Sequence, residues 1–83
     1  MIRQIDEKVE VQARTNRGRL VPILVTWKGK NYAISRVEGV RRHKSNGKKL
    51  DTVRVQVLTS QVMQLELDHQ RQSWRLVTIG ETA

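Results

Sequence analysis

Apolar and polar residues alternate along much of this chain with a period of two, and no stretch of eleven or more residues sustains a 3.6-residue period. Val9, Val11 and Ala13 alternate with Glu10, Gln12 and Arg14. Val53, Val55 and Val57 alternate with Thr52, Arg54 and Gln56, and Met63, Leu65 and Leu67 with Gln64 and Glu66. Successive side chains of a strand point to opposite faces, so these stretches predict strands with one wet side. Two further runs, Val21–Trp27 and Tyr32–Val37, are rich in β-branched and aromatic residues that suit a pleated, half-buried surface. The link between them, Lys28-Gly29-Lys30-Asn31, predicts a tight turn, because Gly reaches positive φ without steric cost. This hairpin is the expected centre of the domain.

The remaining chain fits the same picture. Thr15–Arg19 is polar, contains Gly18 and predicts a turn. Val21, Ile23, Val25 and Trp27 share one face of the second strand, and Pro22 belongs at an edge or near the strand's start. Tyr32 and Ile34 share a face that Val37 does not, which a bulge would reconcile. Residues 38–50 are the most polar stretch. They form either a long loop or two strand extensions meeting at Asn46-Gly47, and the rarity of such loops in small domains favours the second. Turns are expected at Thr59–Gln61 and Asp68–Ser73, and a last strand at Trp74–Ile79, ended by Gly80. Residues 1–8 read as a frayed terminus or partial turn, since Ile2, Ile5 and Val9 fall near helical spacing.

Short strands at this spacing predict one all-β domain over residues 1–83, an antiparallel meander of five or six strands. An open sheet would leave a bare face and two unpaired edges, so the meander is expected to curl into a small barrel or half-barrel. Val53, Val55, Val57, Ile23, Val25, Leu65 and Trp74 are the expected core. The chain has no Phe, which leaves Trp27, Tyr32 and Trp74 as the only large aromatics to plug it.

Charge sharpens the functional reading. The net charge is +8, yet the segment from Arg14 to Lys49 alone carries +10, with eleven basic residues and only Glu38 opposing them. An excess concentrated in this way is the footprint of a polyanion binder. There is no Cys to staple the fold or ligate a metal. The longest apolar run, Leu20–Val25, contains Pro22 and falls far short of a membrane span, and no apolar stretch follows Met1-Ile2 to suggest a signal peptide. A cytoplasmic location without membrane contact is expected.

Several of these stretches, taken together, resemble a small bacterial domain family of unassigned function. The carrying residues are Pro22, Trp27-Lys-Gly-Lys-Asn-Tyr32, Val37, Val53-Arg-Val-Gln-Val57, Leu65-Glu-Leu-Asp68 and Trp74-Arg-Leu76, within residues 20–79. The family pattern runs P…W-R-G-R-x-Y-x-V, then R-V, Y-E-L-Y-x-D and W-x-L. Its members occur alone or appended to the C-terminal end of Y-family translesion-polymerase-like proteins. Here Leu65 and Leu67 stand in place of the family's aromatics, which removes stacking from that strand. The resemblance implies an all-β module associated with DNA transactions such as repair or replication, and supplies no catalytic residue.

The expected function is therefore non-enzymatic binding of nucleic acid, DNA in preference to RNA, through phosphate contacts. The site residues are Arg14, Arg17 and Arg19, Lys28 and Lys30 with Tyr32, and Arg41, Arg42, Lys44, Lys48 and Lys49. Tyr32 is either a stacking platform or part of the core, whereas Trp27 and Trp74 are expected inside. The first loop and the 38–50 segment should share one end of the sheet, with the Lys28 turn opposite. No cofactor or metal is expected, since two His and one His–Asp neighbour pair make a weak ligand set. Two other readings compete. One is a protein-interaction module with an exposed strand edge. The other is a small ribonuclease using His43 or His69, with Arg41 and Arg42 stabilising charge on phosphorus.

Overall fold

Six strands account for the chain from Ile2 to Glu81: β1 (Ile2–Asn16), β2 (Arg19–Trp27), β3 (Lys30–Ser45), β4 (Lys48–Val57), β5 (Gln61–Asp68) and β6 (Ser73–Glu81). The structure is a computed structural model describing residues 2–81, with the side chains of Arg19, Ser45 and Glu81 outside the described set. Consecutive strands pair antiparallel, and β6 returns to pair with β1, so the meander closes into a barrel-like ring. The all-β meander expected from period-two patterning is the fold observed.

Three hairpins turn on two residues each. Their φ pairs are 53° and 77° at Arg17-Gly18, 52° and 76° at Lys28-Gly29, and 52° and 76° at Asn46-Gly47. Both central residues are left-handed, as a two-residue hairpin requires to match the twist of its strands. The turn at Asn46-Gly47 settles the 38–50 segment as strand extensions, with β3 and β4 running unbroken into it. The fourth connection, Leu58–Ser60, is closed by the Ser60 amide donating to the Val57 carbonyl (3.0 Å). In the fifth, the Asp68 carboxylate accepts from the Gln70 (3.0 Å) and Arg71 (3.4 Å) amides. That geometry is an Asx turn.

The inward faces make one core of Val9, Val25, Trp27, Val53, Val55, Val57, Met63, Leu65, Leu67, Trp74, Leu76 and Ile79. Trp27 sits beside the Lys28-Gly29 turn and Trp74 beside the β5–β6 connection, so each tryptophan plugs a different end of the ring.

Bulges let strands this long bend around so small a circumference. They also explain where the sequence reading fails. Ile23 was expected in the core but is 39% exposed. The β1–β2 register steps from Gln12↔Leu24 to Ala13↔Pro22, leaving Ile23 unpaired and bringing Pro22 to the inner face. Residues 2–8 are not a frayed terminus. They form the first half of β1, held by the ladder to β6. A register shift between Gln4 and Glu7, with Asp6 at φ 55°, breaks the alternation there and produces the apparent helical spacing. Gly80 does not end the last strand, since it pairs with both Ile2 and Val62. The shift between Ile34 and Arg36 is the bulge that reconciles Ile34 with Val37.

The seam between β2 and β3 is short. These strands pair only from Leu24–Trp27 to Lys30–Ala33. Past that point β2 runs on with β1, and β3 with β4, as two separate hairpin arms.

Candidate nucleic-acid interface

In an antiparallel meander alternate turns lie at the same end. The Arg17-Gly18 turn, the Asn46-Gly47 turn and the His69–Gln72 connection therefore share one end of the ring, and the Lys28-Gly29 turn and Leu58–Ser60 share the other. Of the predicted site residues, the fold gathers Arg14, Arg17, Arg41, Arg42, Lys44, Lys48 and Lys49 toward the first end. Arg19 lies there by its backbone, and its side chain is outside the described set. Lys28, Lys30 and Tyr32 lie at the opposite end. There Lys28 Nζ stands 5.1 Å from the centroid of the Trp27 ring, and Tyr32 packs half-buried against Trp27 with ring centroids 6.2 Å apart.

Strand alternation divides the β3–β4 arm's charges between two faces. Arg42 pairs with Asp51 and Lys44 with Lys49, on the face that continues the core side of Val53 and Val55. Arg42, Lys44 and Lys49, with His43 and His69, line an open cleft. Arg41 pairs with Thr52 and Gly39 with Arg54 on the outer face, where a second cleft runs over Gly39, Arg41, His43, Thr52, Arg54 and Gln64. The basic run is thus a two-sided ribbon and not one flat patch.

Asp51 organises the inner face. It is the buried charged residue of the described chain, 7% exposed. Its Oδ1 accepts from Arg42 Nε at 3.3 Å, and its Oδ2 lies 2.8 Å from His69 Nε2. The His69 amide also donates to the Lys49 carbonyl (3.4 Å), so the β5–β6 connection is tied to β4 by backbone and side chain together. Arg42 is therefore partly neutralised and belongs to the fold as well as to the surface. On the outer face Glu38 takes Arg36 (3.0 Å) and Arg54 (3.2 Å). Arg75 is held by Asp6 at 2.9 Å, and that hydrogen bond, with the charge behind it, raises its pKa above the ordinary guanidinium value. Among the described residues no carboxylate pairs with Arg14, Arg17, Arg41, Lys44, Lys48 or Lys49, which leaves these cations available to an anion.

The expected binding residues do not include Arg71 or His69, which the alternate-turn rule brings to the same end. The ribonuclease reading treats His43 and His69 as alternative acid or base groups for one site. His43 Nε2 contacts Thr52 Oγ1 at 2.9 Å, whereas His69 contacts Asp51. The two imidazoles are thus held by different partners, although both line the cleft beside Arg42, Lys44 and Lys49. Trp27 donates its indole N–H to Glu7 Oε2 at 2.7 Å and faces the core, as does Trp74. Trp74 lies toward the basic end but is buried, so among the described residues that end presents its cations with no exposed aromatic ring.

Comparison with protein-family models, with curated proteins and with solved structures returned no match.

Proposed function

We propose that this chain is a nucleic-acid-binding β module that holds phosphates at the basic end of its ring and does no chemistry on them. The observation that carries the reading is that Arg14 and Arg17 on the β1–β2 arm and Arg41, Lys44, Lys48 and Lys49 on the β3–β4 arm lie toward the same end of the ring, free of carboxylate partners among the described residues. Base stacking needs an exposed aromatic face. Both tryptophans are buried and Tyr32 stands at the far end, which favours contacts to the backbone over contacts to bases. The likeness to a domain found beside translesion-polymerase-like proteins supports DNA as the partner within this proposal.

Phosphate contacts release condensed counterions, so log K should fall with log salt by about 0.9 per contact on duplex and about 0.7 on single strands. Titrating labelled single- and double-stranded DNA and RNA at two salt concentrations tests this. The expected result is a steep salt slope with little dependence on base sequence. Binding that ignores salt, or no binding to any of the four, would refute the proposal.

A further inference from the structure

We infer that the free edge of β3, over Gly39–Lys44, accepts an extended acidic segment of another protein as an added strand. This shares Arg41 and Lys44 with the nucleic-acid reading but rests on the backbone rather than on charge alone. β3 pairs with β4 without a register break from Gly39 to Ser45. On its other side β2 leaves it after Ala33, and among the described residues no other strand adjoins it. Half of the N–H and C=O groups along this stretch therefore face outward without a ladder, and an unpaired edge of this kind is a template for another strand. Strand addition draws its affinity from those main-chain bonds and its specificity from the side chains flanking them.

The flanking side chains select the occupant. Val40 shares the inner face of the arm with Arg42 and Lys44, and it is 61% exposed, an uncovered apolar residue next along that face from half-buried Val37. Arg41 lies on the outer face. Arg42 already has Asp51, so Arg41 and Lys44 are the unmet charges, one on each side of the ribbon. A second copy of this chain pairing edge to edge would set these cations against their own kind, and like charges directly opposite one another destabilise a sheet. The occupant that fits carries a β-branched residue opposite Val40 and carboxylates opposite Arg41 and Lys44. In an antiparallel strand that order reads Glu-Thr-Thr-Glu-Val.

The probe is a labelled, capped peptide, Thr-Glu-Thr-Thr-Glu-Val-Thr, with two analogues N-methylated at alternate amides so that one or the other edge loses its donors. The edge facing β3 must bond and the edge facing solvent need not. One analogue should therefore bind at least about tenfold more weakly, a loss of about 1.4 kcal/mol, while the other binds like the parent. The variant Arg41→Glu/Lys44→Glu should lose the peptide and gain one with Lys in place of both Glu, which also shows that the variant folds. Equal binding of all three peptides would mean adsorption by charge and would overturn the proposal. So would the absence of binding, or self-association of the wild-type chain through this edge.

Discussion

Arg17 occupies a position that favours another residue. It sits left-handed at φ 53° in a two-residue turn, where the third hairpin uses Asn46 at φ 52°. Left-handed backbone costs an ordinary L-residue about 1–2 kcal/mol, and Asn tolerates it best. Arg17→Asn should raise stability by about 1 kcal/mol in urea unfolding while weakening nucleic-acid binding by removing one cation. A stability gain with unchanged binding would show that Arg17 makes no phosphate contact. Asp51 is the opposite case, a buried acid among bases. Asp51→Ala removes the bonds to both Arg42 and His69. Both partners are partly exposed and regain water. The expected cost is therefore about 2 kcal/mol, in the range of one hydrogen bond to a charged group, and not the penalty of stranding a buried charge. A neutral result would mean that the β5–β6 connection is held by its backbone contact alone.

At the scale of the element, bulges decide where side chains go. Met63 is fully buried on regular β5, while Ile23 is 39% exposed at the irregularity of β2. Met63→Ala should cost about 2–5 kcal/mol, and Ile23→Thr no more than about 0.5 kcal/mol. Comparable losses at both positions would contradict the register. The same feature separates what the sequence reveals from what it hides. The alternation at Val53, Val55 and Val57 and the glycines at 18, 29 and 47 identify strands and turns by local physics alone. Residues 2–8 and Ile23 are misread because a bulge shifts the period by one, and the ladder that holds β1 to β6 joins residues far apart in sequence. The site divides in the same way. Once the turn at Asn46-Gly47 fixes the register, alternation alone puts Arg41 and Arg42 on opposite faces. The pairing of Asp51 with His69 depends on how β5 and β6 return along β4, and no local pattern announces it.

The whole molecule keeps its two functions of surface and core at separate places. The two tryptophans fill the ring, six cations without a carboxylate partner among the described residues lie toward one end, and Lys28 and Lys30, equally unpaired, stand at the other. Arg42 belongs to the Asp51 cluster, so reversing its charge would set two carboxylates together and confuse folding with binding. Arg41, Lys44 and Lys49 report on binding more cleanly. The most direct test compares the salt dependence of DNA binding for Arg41→Glu/Lys44→Glu/Lys49→Glu with that for Lys28→Glu/Lys30→Glu, each checked for the wild-type circular dichroism spectrum. The first variant should lose affinity for every sequence and flatten the salt slope by about one unit per lost phosphate contact, while the second stays near wild type. Equal slopes for the two variants, or a larger loss from the Lys28 and Lys30 end, would contradict a phosphate site at the end of the ring that carries the first and third turns.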